Sequence, residues 1–221
     1  MSRRPVIHKL SKGTSAGLGR RIQAEMRRTR KCPVAVGLID IVSHFEFPEG
    51  ERLLRQARHI AQPIAALKRR AREAGVPVIY INDNFGNWRS DAKHLLRYCL
   101  RPSAIGRNFV EQVCPDEEDY FILKPKHSAF YQTPLEVLLQ YLGTTTLVLA
   151  GVTTNSCILA TVQDANMRDF RVVVTSDCCA ANTLSKHQSA LRLIEGVGKA
   201  SVRSSRNLRF RKLLEEASHI G

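Results

Sequence analysis

Short apolar runs alternate with longer amphipathic stretches along most of this chain. Pro33 to Ile39, Val76 to Ile81, Tyr120 to Leu123, Leu147 to Ala150 and Val172 to Val174 are too brief for helices and apolar on consecutive positions. That is the pattern of strands buried on both faces, as in a parallel sheet. Ala200 to Val202 reads as a weaker sixth strand. Between them, Glu51 to Ala74 carries Leu53, Leu54, Ala57, Ile60, Ile64 and Leu67 at helical spacing, with Pro63 predicting a kink or break and Gly75 a stop. Further helices are predicted over Lys93 to Leu100, within the mixed segment 101–119, from Thr133-Pro134 to Gly143, over Ile158 to Met167, Thr183 to Glu195 and Leu208 to Ala217. Strands alternating with helices call for a parallel sheet layered between helices and joined by right-handed crossovers.

In such sheets ligands bind beyond the carboxyl ends of the strands. Asp40 follows the first strand, Lys124 the third and Cys157 the fourth. Cys157 stands behind the Gly151 break and the N-cap types Thr154, Asn155 and Ser156, in the first turn of a helix. There the dipole favours a thiolate. Alone, such a cysteine reads as a small core residue. With Asp40 and Lys124 at the same edge, the three have chemical sense: a thiol nucleophile, a carboxylate that takes its proton, and an ammonium that holds the carboxylate and lowers the thiol pKa.

Composition narrows the picture. At 221 residues the chain suits one α/β domain, and 43% apolar residues are ordinary for a globular protein. No run nears the ~18 apolar residues that span a bilayer, and the N-terminus shows no uninterrupted apolar core of a secretory signal. Six cysteines with no zinc spacing read as reduced thiols in a cytoplasmic setting rather than a disulfide framework. The net charge of +14 is concentrated in residues 1–31, where ten Lys and Arg face the single acid Glu25. These residues read as a basic N-terminal arm, with a short helix from Arg20 to Arg30, ahead of a domain over 32–221. Such an arm favours anionic partners and also has the look of an organelle presequence. No aromatic RNA-binding signature or helix-turn-helix accompanies it, so nucleic acid is not the expected partner.

Three blocks carry a family resemblance. The first strand ends in Asp40 with Phe45 five residues on. Lys124 leads a Lys-x-x-x-Ser-Ala-Phe block through Ser128, Ala129 and Phe130, with Thr133 and Leu135 after it. Gly151, Val152, Thr154 and Cys157 form Gly-Val-x-Thr-x-x-Cys, followed by Thr161, Asp164 and Ala165. In these the chain resembles the isochorismatase-like cysteine hydrolases, over residues 33–202. The resemblance implies a six-stranded parallel sheet with helices on both faces and an Asp40–Lys124–Cys157 triad. It also implies a non-proline cis peptide at Val152-Thr153 and an oxyanion hole from the N–H groups of Thr153 and Cys157. The implied activity is hydrolysis of a small amide, ureido or carbamoyl compound without a cofactor, by a homodimer or homotetramer. Asn84 and Trp88, where the family places its substrate wall, join Phe45, Phe130 and Tyr131 as candidate substrate contacts.

The chain departs from the family at two points. Val42 stands where a glutamine is usual, so the polar contacts beside Asp40 differ. The loop Glu46 to Glu51 has no histidine, and His44 with His59 does not make the metal site of the zinc-dependent nicotinamidases, so no metal is expected. Vinyl-ether hydrolysis of isochorismate is the enzymatic rival, against which Cys157 argues. A hydrolase-fold scaffold whose basic arm binds an anionic partner is the rival from another class.

Overall fold

A computed structural model describes residues 31–218. The basic arm, with the helix expected over Arg20 to Arg30, lies outside the described residues, apart from Lys31. The first strand, β1 (Val34–Ile39), is buried at every position. The long helix divides into α1 (Gly50–Ala57) and α2 (Ala61–Glu73), joined by one tighter turn at Arg58–Ile60. Pro63 explains where the break falls. It has no N–H for the carbonyl one turn back and its ring crowds that carbonyl, so it is accommodated only in the first turn of α2.

β2 (Val78–Asp83) runs two residues past the predicted end. Asn82 and Asp83 stay extended because they pair with Leu123 and Lys124 of β3 (Tyr120–Lys124). Between these strands lie α3 (Ala92–Cys99), whose Asp91 cap accepts the His94 N–H, and α4 (Arg107–Val113). α5 (Leu135–Leu142) follows and stops at Gly143, which takes the left-handed conformation. β4 (Thr146–Val152) leads into one wide, π-wound turn, Thr154–Ile158, that continues as α6 (Leu159–Asn166).

β5 (Arg171–Ala180) continues well beyond Val174, through Ser176-Asp177, a polar pair that by sequence reads as the end of the strand. Asp177 remains in the strand because its carboxylate accepts from Ser204 Oγ, Ser205 N and Ser205 Oγ at 2.6–2.9 Å. Those partners follow β6 (Ser201–Arg203) in the chain, which no local pattern could reveal. α7 (Leu184–Gly196) and α8 (Phe210–Ser218) complete the order.

The six strands are all parallel, in the order β3-β2-β1-β4-β5-β6. Alternate residues of β1 feed two apolar clusters. Val34, Val36 and Leu38 join α1, α2 and α8 on one face. Ala35 and Ile39 join α5, α6 and α7 on the other, which gives three layers. The chain winds outward from β1 in both directions, so the switch point lies between β1 and β4. Among the described residues, no helix is long and apolar enough to cross a membrane.

Gly151 sets the spacing at that switch point. Its φ is 124°, and a Cβ there would lie 2.0 Å from the Ile39 carbonyl oxygen. Gly151→Ala combines an unfavourable backbone angle with overlap against backbone, and should cost about 3 kcal/mol or more. Urea unfolding checks this.

Candidate active site

Asp40 leaves β1 with a left-handed backbone, φ 53°, and its N–H still bonds the Ile81 carbonyl. This turns its carboxylate across the ends of β2 and β3. One oxygen accepts the Asp83 N–H at 2.6 Å, and the other lies 2.9 Å from Lys124 Nζ. Lys124, the last residue of β3, has no solvent exposure at all. Its ammonium also donates to the Lys126 carbonyl at 3.0 Å, lies 3.7 Å from Asp83 Oδ2, and sits 3.6 Å from Cys157 Sγ. The structure therefore brings Asp40, Lys124 and Cys157 together at the switch point, from three separate strand ends.

Cys157 sits inside the wide turn rather than at a regular helix start. Its carbonyl accepts from Thr161 Oγ1 at 2.7 Å, and Thr161 Oγ1 accepts the Ala129 N–H at 3.0 Å. Ser128 bonds both Asp164 and the Phe130 N–H. The motif residues Ser128, Thr161 and Asp164 thus brace the cysteine turn against the loop after β3. The Val152–Thr153 peptide is cis.

Electrostatics modify one expectation. Burial pushes the Asp40 carboxyl above its usual range, against the pull of Lys124. Burial alone would lower Lys124, but Asp40 and Cys157 outweigh it and keep the ammonium charged. The Cys157 thiol is pushed up to about 12, by burial first and then by the Asp40 charge, with Lys124 opposing. The expected lowering by Lys124 is therefore not the net effect. The ammonium lies closer to the carboxylate than to the sulfur, so the thiol faces a compensated pair in a poorly solvated place. The resting thiol is neutral near pH 7. Alkylation of Cys157 by iodoacetamide, with Cys157→Ala as background, should keep rising to pH 10 and beyond. A plateau below pH 8 would reveal a preformed thiolate.

The candidate substrate contacts separate into two groups. Asn84, Trp88 and Tyr131 line one open cleft of about 580 Å³ beside the ends of β2 and β3, with Asn87, Lys126 and Gln132. Phe45 and Phe130 do not join them, which corrects the sequence expectation. Phe45 is fully buried, its ring edge-on to Phe109 at 5.6 Å. Phe130, 5% exposed, packs against Phe170 and the Arg168 guanidinium. Phe45 has no surface to offer an open cleft, Phe130 keeps almost none and is not among the residues that line it, and both rings are packed into the protein instead.

Two polar side chains at the site were not singled out from sequence. Asp83 adds a second carboxylate beside Lys124. His127 is exposed and places Nδ1 3.2 Å from Ser156 Oγ and 3.7 Å from Cys157 Sγ. Asp83 is the last residue of β2 and His127 stands on the loop after β3, but nothing in their spacing along the chain separates them from solvated polar residues. Among the described residues, no group of three or more His, Cys, Asp or Glu is placed to hold a metal ion.

A six-stranded parallel sheet of this order, flanked by helices and with its reactive side chains at the switch point, is an isochorismatase-like α/β fold. The chain belongs to the isochorismatase family: the Isochorismatase domain profile matches residues 34–205. Members of that family are hydrolases. The uncharacterized isochorismatase family protein YaaI of Bacillus subtilis is 36% identical over 167 residues, 76% of this chain and 91% of that protein. Ureidoacrylate amidohydrolase RutB of Methylobacterium radiotolerans is 31% identical over 157 residues, 62% of this chain and 59% of that enzyme. A solved cysteine hydrolase from Pseudomonas syringae superposes with a TM-score of 0.66 at 23% identity, covering 84% of this chain and 93% of its own, a likeness of fold.

Proposed function

We propose that this protein is a cysteine hydrolase that cleaves the C–N bond of a small amide, ureido or carbamoyl compound through a thioester on Cys157. One observation carries the reading: a single ammonium, Lys124 Nζ, lies 2.9 Å from the Asp40 carboxylate and 3.6 Å from the Cys157 sulfur. The likeness to an amidohydrolase adds support.

The substrate carbonyl docks at the sulfur from the cleft side. Asp40 takes the thiol proton as Cys157 attacks, so the thiolate exists only as the new C–S bond forms. This suits a resting thiol that is neutral and a carboxylate whose affinity for protons burial has increased. The N–H groups of Thr153 and Cys157 are assigned to the oxyanion. The intermediate collapses with cleavage of the C–N bond, and Asp40 hands its proton to the departing nitrogen. Lys124 keeps the carboxylate aimed throughout. Water then releases the acid from the thioester.

The test is a panel of small amides, carbamoyl compounds and isochorismate. The expected result is ammonia or amine release from a panel member, with an acyl adduct on Cys157 by mass spectrometry. Release of pyruvate from isochorismate, with no adduct on any substrate, would overturn the reading in favour of the vinyl-ether reaction.

A further inference from the structure

The Cys157 sulfur has two unlike sides. Lys124 and Asp40 close the inner one, and both are buried. Each Asp40 oxygen is already engaged, Oδ1 by the Asp83 N–H and Oδ2 by Lys124. On the outer side stands the exposed imidazole of His127, with Nδ1 3.7 Å from the sulfur and 3.2 Å from Ser156 Oγ. Water that cleaves a thioester on Cys157 comes from solvent, and the imidazole stands on the exposed side of the sulfur. Imidazole is the side chain best matched to moving protons near neutral pH.

We infer that His127 is the general base, then the general acid, of thioester hydrolysis. This rests on the thioester reading above and adds to it a division of labour. Asp40 serves the making of the thioester and His127 its breaking. Nδ1 takes a proton from water while the water oxygen bonds to the acyl carbon. The C–S bond then breaks, the electron pair goes to sulfur, and Nδ1–H returns the proton to Sγ. The products are the free acid and the neutral thiol, and His127 ends uncharged. Ser156 Oγ, in contact with the same nitrogen, holds the ring toward the sulfur at rest and gives up its place on Nδ1 to the water once the thioester has formed. The plainer alternative is an exposed loop histidine that Ser156 merely anchors, with Asp40 acting in both halves.

The probe is p-nitrophenyl acetate, which acylates a reactive thiol whatever the natural substrate is. Its phenolate leaves without needing a proton, so the first half-reaction asks only that Asp40 take the thiol proton, and His127 is called on only in the second. Wild type should give a burst of nitrophenolate followed by slower turnover. His127→Gln and His127→Asn should keep the burst, accumulate acetyl-Cys157, and lose about 10²-fold in steady-state turnover. Hydroxylamine, a strong nucleophile that requires no base, should restore turnover in both. Because the ring is exposed, both variants should melt with the wild type. Wild-type turnover in both variants would overturn the inference, and so would loss of the burst together with turnover. An undiminished burst from Cys157→Ala would remove the thioester reading itself, and this inference with it.

Discussion

Cys157→Ala should lower hydrolysis by about 10⁴-fold or more, since removing a nucleophile leaves only the rate enhancement from binding and oxyanion donors. The loss should fall on kcat, because the cleft proposed to take the substrate is lined by other residues, Asn84, Trp88 and Tyr131 among them. The fold should be nearly untouched. The Cys157 side chain is only partly buried, and its backbone is held through Thr161 rather than through the sulfur. Unfolding midpoints of wild type and variant should therefore agree within a few degrees while activity vanishes. Full activity in Cys157→Ala would end the covalent mechanism.

The second large effect is expected at Lys124, where activity and stability should fall together. Lys124→Met removes the cation beside a buried carboxylate, and breaking such a pair from one side costs about 3–5 kcal/mol. Asp40 would then hold its proton more strongly than the already raised wild-type carboxyl does, and a protonated Asp40 cannot accept the thiol proton. Hydrolysis near neutral pH should drop by about 10³-fold or more.

The pH dependence of stability has a definite sign. A carboxyl whose folded pKa lies above its unfolded value binds more protons in the folded state, so stability falls as pH rises through that interval. The interval begins near the usual carboxylate range and extends further upward in Lys124→Met than in wild type. The gap in urea stability between the two should therefore narrow as pH is lowered from about 7 to about 5. The double variant Asp40→Asn/Lys124→Met should recover much of the stability and none of the activity, because no charge is left uncompensated. A stability gap that stays constant over this range would show that the Lys124–Asp40 pair is not what the variant disrupts.

The sequence by itself determined the strand-and-helix order, the parallel sheet and the edge at which Asp40, Lys124 and Cys157 meet. These follow from local signals: apolar runs too short for helices, amphipathic spacing between them, and reactive residue types at strand ends. Pro63 fixed a break in the long helix because its constraint is carried by its own ring. Asp177 shows the limit. It reads as a strand terminator, yet it lies inside β5 because Ser204 and Ser205 supply partners from later in the chain.

Only the tertiary structure decided which aromatic residues face the cleft. Phe45, Phe130 and Tyr131 look alike along the chain, but a strand-end ring turns inward or outward according to neighbours such as Phe109 and Phe170. The protonation state of the sulfur was decided there too. A first-turn cysteine at the same edge as Lys124 pointed to a lowered thiol pKa, whereas burial and the Asp40 charge raise it. Residue types and order carry the kinds of group that meet. Desolvation and distance set what those groups do, and both belong to the assembled fold.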